Sequence, residues 1–382
     1  MASTSSRYQV LQRTIALPPP GRKRAMVLFI VATVLTGVVA LAVGMWLGGN
    51  LTQSQINGIA IGGTGGLTGW GLPTSKMVMD VASVGVIGML VACVLLPSRE
   101  PAAEPGAMVR RLLRTASWLA LVWAIANAAL LIFSWSDLVG QPVTDLPFAN
   151  LFTDPIGAFP AAADYTSSTS LAIVIAAGVA VTRTRGGALI LLPLAAYNLV
   201  PMALQGHANH STLLRYSLIT HVIAISLWVG GLAALFMHVR KQPALLAVAA
   251  PRFSTLALFC YVAVGVSGVI AAWDLIGSIP SFWGSRYGVL VLFKIAALIA
   301  LGIFGWWHRR HTIHRIRANQ ETHAPRARRA FTQLAAAEIA IMVAAVAIAV
   351  ALSRSASPDT ILLHSNRQAA APVQYSEPVA RG

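Results

Sequence analysis

Apolar residues in this chain gather into runs of about 20, the length needed for a helix to cross a hydrocarbon layer of about 30 Å. About nine such runs can be marked, at Ala25 to Leu47, Met77 to Leu96, Leu112 to Trp135, Thr166 to Thr182, Ala188 to Gln205, Tyr216 to His238, Phe253 to Trp273, Tyr287 to Trp307 and Ala330 to Leu352. Sustained apolar runs, rather than strict alternation, predict α-helices. In lipid, helices also satisfy every backbone polar group within the segment. The expected fold class is therefore all-α, a polytopic transmembrane bundle over 25–352.

Composition agrees, with 56% hydrophobic and only 10% charged residues and a mean hydropathy of +0.69. A net charge of +16 and a pI near 11.1 would point a soluble chain toward nucleic acid. Here the placement of the charges excludes that partner. Arg22, Lys23 and Arg24 precede the first run, while Arg99, Arg110, Arg111 and Arg114 flank the second connection. Arg183 and Arg185 lie in the fourth, Arg240, Lys241 and Arg252 in the sixth, and seven arginines between Arg309 and Arg329 in the eighth. The intervening connections are poor in Lys and Arg, and the third carries Asp137, Asp145, Asp154 and Asp164. By the positive-inside rule the N-terminus is cytoplasmic, and an odd number of spans puts the C-terminus outside. The lipid bilayer is the expected partner.

Outside the bundle, residues 1–24 read as a disordered basic arm, Ser-rich and ending near Pro18, Pro19 and Pro20, and 353–382 as a flexible extracytoplasmic tail. The first run is too long for a signal core and ends without a clear small-residue cleavage site, so it reads as a span. The Gly-rich connection from Gly48 to Pro73 is either flexible or packed on the bundle rim. Cys93 and Cys260 are far apart within apolar runs and read as packing residues, with Cu(I) ligation the sharper alternative. No P-loop, nucleophile elbow or HExxH occurs, so ATP coupling and soluble-type hydrolysis have no support and no enzyme activity is expected.

The candidate chemistry lies between Met202 and Leu232. His221 falls inside the sixth run, roughly 8 Å from a helix start near Tyr216. His207 and His210 are three apart and would share a helical face if the fifth helix continued past Gln205. The short connection from Ala208 to Arg215 makes the two helices neighbours, so His221 would face the other two histidines. Met202 lies further down the fifth helix. Imidazole and thioether suit copper better than magnesium or calcium, and zinc remains chemically open. The bland reading keeps His207 and His210 as ordinary interfacial residues. Met45, Met77 and Met79, near the same membrane face, read as packing before ligands.

Three charges lie deeper: Asp80, Lys294 and Glu338. Lone charges in lipid are costly, so ion pairing among them is the first expectation and a polar lining for ions or protons the sharper one. Asp274 marks an interface. Gly230, Gly231, Gly265 and Gly268 allow close helix approach. His308, His311 and His314 sit among arginines and read as a headgroup-facing basic segment.

Gly206-His207-Ala208, followed by the segment from His221 through Trp228, Val229, Gly230, Gly231 and Leu232, resembles the signature of the copper resistance protein D family. Ser267-Gly268, Ala272-Trp273, Tyr287-Gly288 before Leu292 and Lys294, and Glu338 resemble that family's closing region, over about 78–358. The resemblance implies copper transport or delivery at the cytoplasmic membrane, with copper as the ion bound and His221 and His207 as metal-facing positions. The chain also resembles the first half of actinobacterial fusions that carry a cytochrome oxidase copper-assembly domain, which implies that it acts either alone or with a separate cytochrome oxidase assembly protein as a partner. Two alternatives stay open: a haem-binding electron-transfer protein using paired histidines, and a non-transporting scaffold for copper oxidase assembly.

Overall fold

The computed structural model describes residues 31–32, 35–44, 46, 54–56, 59–61, 65–97, 105–146, 162–204, 211–276, 286–307, 339–348 and 350. Each of the nine apolar runs contains helix. The elements are α1 (Leu35–Gly44), a hairpin of β1 (Ser54–Ile56) and β2 (Ile59–Ile61), α2 (Gly65–Leu95), α3 (Pro105–Val139) and α4 (Ala162–Val181). They continue with α5 (Arg185–Tyr197), α6 (Val200–Ala203), α7 (Thr212–Ala234), α8 (Pro243–Ile276), α9 (Arg286–Trp307) and α10 (Ile339–Ile348). Among the described residues, seven helical segments are long and apolar enough to cross a membrane, α5 and α6 counting as one. The described parts of the first and last runs are the shorter α1 and α10.

Three differences from the sequence reading have local causes. The helix α2 begins at Gly65, twelve residues before the apolar run, so part of the Gly-rich connection is helical. Its first turns are anchored by Thr68, fully buried, whose hydroxyl lies 2.7 Å from that of Ser136 in α3. That anchor is polar and invisible to hydropathy. The fifth segment is broken at Asn198 and Leu199 and ends at Ala203, before Gln205. The sixth starts at Thr212, where Ser211 caps it by accepting from the Leu214 amide at 3.0 Å. His221 therefore sits nine residues, about 13 Å, inside its helix and not 8 Å.

Contacts between helices fix their directions. The helices α2 and α3 are antiparallel, matched at Thr68 with Ser136 and at Cys93, whose thiol donates to the Val109 carbonyl at 3.9 Å. Helix α4 runs antiparallel to α3, with Ser117 donating to the Ala176 carbonyl at 3.1 Å and Asn127 to Ser168 at 2.9 Å. Helix α8 returns along α7, with Ser217 donating to the Ser267 carbonyl at 2.7 Å and Trp228 edge-on to Tyr261. Helix α9 returns along α8, with Tyr261 against Gly302 and Gly265 near Leu298. Arg252, near the start of α8, donates to the Leu95 carbonyl at the end of α2, which makes α2 and α7 parallel. These directions gather Arg110, Arg111, Arg114, Arg183, Arg185, Arg240, Lys241 and Arg252 at one end of the bundle. Below, this is the basic end.

At the centre, α2 and α7 touch backbone to backbone. A Cβ on Gly88 would overlap the Gly230 peptide, and one on Gly230 would overlap the Val84 carbonyl and stand 2.9 Å from the Gly88 Cα. No side chain stands there to yield. We expect Gly88→Ala and Gly230→Ala each to lower stability by about 2 kcal/mol or more, because overpacking here must move backbone. Gly66→Ala and Gly69→Ala, with open space around both positions, are the controls. Thermal unfolding of purified protein in one detergent compares the four, and equal stability of all four would contradict the packing.

Candidate metal-binding site

One set of polar side chains within the helices lies at a single depth. His221 is nine residues before Gly230, as Met79 is before Gly88, so His221 is level with Met79 and Asp80 across the parallel pair. The matched pairs of α2 and α3 put Asn127 opposite residue 77, and Asn127 is bonded to Ser168 of α4. Asn198 donates to the Ser168 carbonyl at 3.1 Å. Ser267 is level with His221, and the α8–α9 contacts carry Lys294 to the level of residue 269. Together with Lys76 these groups span about four residues of α2, a layer about 6 Å deep.

The layer is divided by the α2–α7 seam. Nine residues are two and a half helical turns, so His221 points to the side of α7 opposite Gly230. That side faces α8: Ser217, His221 and Trp228 form one stripe, and each meets it. Asp80 precedes Val84 and Gly88 at intervals of four on α2, on the other side of the seam. His221 and Asp80 are level but do not share a site.

The chemistry of His221 is set by Ser267. Imidazole Nδ1 lies 2.9 Å from the Ser267 hydroxyl, which donates its proton to the Ala263 carbonyl at 2.6 Å. A hydroxyl has one proton, and here it is committed one helical turn back. Nδ1 must then be the N–H donor to the Ser267 oxygen, and Nε2 carries the lone pair. An outer hydrogen bond of this kind is how proteins fix the tautomer of a metal-binding histidine. Gly268 lies beside the ring, where a Cβ would stand 3.6 Å from Cε1. In that tautomer Nε2 carries the lone pair of the ring, the form in which an imidazole ligates a metal.

The other predicted residues divide. Lys294 is carried by the α8–α9 contacts to the level of residue 269, near the depth of Ser267 and His221. Met202 is half-buried against the main core. His207, His210 and Glu338 lie outside the described residues. The expected pairing among Asp80, Lys294 and Glu338 needs correction for Asp80: its carboxylate is 3.6 Å from Lys76, one turn earlier on the same helix. Lys76 was missed because it lies one residue before the apolar run, although a Lys four residues before Asp is a readable pair. Ser267 and the capping Ser211, whose hydroxyl lies 3.1 Å from both oxygens of Asp274, were also missed as side-chain partners. Asp274 is thus tied to the start of α7 as well as marking an interface. Among the described residues no three His, Cys, Asp or Glu side chains form a metal-binding group. The described histidines are His221 and His238, seventeen residues or about 25 Å apart on one helical path, too far to share a haem iron.

Two family profiles match the chain. "Copper resistance protein D-like, N-terminal domain" matches residues 67–216 and "Copper resistance protein D" matches 247–352, together about two-thirds of the sequence. The chain belongs to the copper resistance protein D family. It is a multi-pass membrane protein with a copper-related role in resistance, as the family and the seven apolar helices together imply. A search of curated proteins and one of solved structures gave no match. Within this copper resistance protein D chain, Asp80, Met202, His207 and His210 fall in the N-terminal match and Ser267, Lys294 and Glu338 in the C-terminal one. His221 falls between them, on the helix that joins the halves.

The Lys76–Asp80 pair makes a prediction of its own. Each partner alone would leave a charge at membrane depth, so Lys76→Met and Asp80→Asn should each destabilise the protein. The double variant should recover part of the loss, with a coupling on the order of 1 kcal/mol because both side chains keep some exposure. Additive losses in thermal unfolding would show that the two do not interact.

Proposed function

We propose that this protein moves copper across the cytoplasmic membrane or delivers it there, and that it does so as a carrier with no catalysed reaction. The observation that carries the reading is the membership in a copper-resistance family together with a histidine whose Nε2 lone pair is freed at membrane depth by Ser267. Copper is cargo. It would meet His221 from the end of the bundle opposite the basic one, which the positive-inside rule assigns to the outside. On this reading all nine apolar runs span the membrane, with the N-terminus cytoplasmic and the C-terminus outside.

Met202, His207 and His210 would supply further donors at the outer mouth, where imidazole and thioether suit copper. Lys294 lines the route beside His221, and Glu338 belongs to the same deep charged set. Asp80, paired with Lys76 within α2, braces the bundle. A separate oxidase-assembly protein would be the recipient if the copper is delivered rather than released.

Cells carrying His221→Ala should accumulate several-fold less or more copper than wild type, toward the level of cells lacking the protein, with the sign giving the direction of transport. Copper content identical to wild type at equal protein abundance would sink the assignment. Loss of oxidase activity with unchanged cellular copper would instead select the scaffold reading.

A further inference from the structure

Where α3, α4 and the end of α5 meet, the hydrogen bonds leave part of the polar capacity unmet. Asn127 on α3 and Asn198 at the break after α5 both turn their amide nitrogens to Ser168 of α4. The first donates to the Ser168 hydroxyl at 2.9 Å and the second to the Ser168 carbonyl at 3.1 Å. All three residues are at most 1% exposed. Each amide uses its nitrogen there, and the Oδ1 oxygens of Asn127 and Asn198 are buried without a partner. Each oxygen shares one carbon with a nitrogen already bonded to Ser168, so both lie close around that one residue. Trp123, fully buried one turn before Asn127 on α3, adds an indole N–H that is likewise buried and unpartnered. The main chain is short of a donor here too: Pro201 has no N–H to give the Tyr197 carbonyl four residues back, and the fifth segment breaks between them.

Buried polar groups in folded proteins find a partner in protein or in water, because an unmet one is costly away from solvent. The chemistry of the unmet groups selects the ligand. A cation would answer the two oxygens but not the indole N–H, and an anion the N–H but not the oxygens. Water donates and accepts, and buried waters make two to four such bonds. Turning the Asn127 amide about would only exchange an unmet oxygen for an unmet NH2, which water also serves and a cation does not. Asn198 has no such freedom, since the Ser168 carbonyl can only accept. We propose that this corner is a binding site for internal water, held by Oδ1 of Asn127 and Oδ1 of Asn198 beside Ser168, and that the water ties the broken fifth segment to α3 and α4. Irregular backbone at membrane depth is tolerated where protein buries it or water meets it, and this corner does both. The site stands independently of the copper reading.

The test is radiolytic hydroxyl-radical footprinting of the purified full-length protein in lipid nanodiscs, read by mass spectrometry. Radicals made from a bound water label the side chains around it even when a scavenger removes those in bulk. Trp123 is the reporter, because it is fully buried and one turn from Asn127. Wild type should show labelling of Trp123 that survives a bulk scavenger. Asn127→Leu and Asn198→Leu, each checked for folding by thermal unfolding, should lower that labelling several-fold. Ser217→Ala, between α7 and α8, should leave it unchanged. Background labelling of Trp123 in wild type would overturn the proposal without any variant having to fold. Labelling unchanged in both asparagine variants would also overturn it, since the water would then be held elsewhere. A bound cation is the competing outcome. Thermal stability of wild type should be the same in sodium, potassium and choline chloride at equal concentration, and a rise specific to sodium or potassium that Asn127→Leu abolishes would overturn the assignment to water.

Discussion

The contact of α2 with α7 at Gly88 and Gly230 is the constraint on which the rest of the bundle depends. Lipid tails are as apolar as the helix surfaces, so association inside a membrane rests on close packing and interhelical hydrogen bonds. Two glycines facing each other bring the backbones together and lock the axial position of one helix against the other. Once that position is fixed, the depths of His221 and Asp80 follow by counting residues. The two helices are also the most buried of the seven candidate spans, as expected for central elements.

Polar groups at a single depth are the second consequence. A hydroxyl or amide in hydrocarbon needs a partner, and the cheapest partner is another polar group at the same level on the next helix. Asn127, Ser168 and Asn198 satisfy part of one another's capacity across α3, α4 and the break after α5. Ser217, His221 and Ser267 do the same between α7 and α8. In the second group, hydroxyl protons are drawn to main-chain carbonyls, and the deficit is passed to the imidazole. Its tautomer is therefore a product of helix packing as well as of local sequence.

Much of this was legible in the residues. The nine apolar runs, the basic end and the glycines Gly230 and Gly231 at a close approach all come from periodicity and composition, and His221 stands out because imidazole is rare in a span. What the sequence hides is azimuth and partner choice. Asp80 looked available to Lys294 because their depths match, yet depth says nothing about which side of α2 the carboxylate leaves from. Thr68 and Gly88 carry no hydropathy signal, and both need their partners, Ser136 and Gly230, before they mean anything. Ser267 likewise was visible as part of a family pattern, but its role appears only when its hydroxyl and the ring are seen together.

The seam also bears on how charge could cross the bundle. The Lys76–Asp80 pair is neutral as a unit and is closed within one helix, so it adds no net field at the level of His221 and has no vacancy for a passing cation unless the pair is broken. Lys294 belongs to the other half, level with residue 269 of α8 by the α8–α9 contacts, and His221 is bonded on that α8 side. A cation using His221 would therefore stand across the seam from Asp80. This places the demanding step of the proposed route in the half formed by α7, α8 and α9, and leaves the N-terminal half, with its neutral amide and hydroxyl network, as the scaffold against which α7 is held.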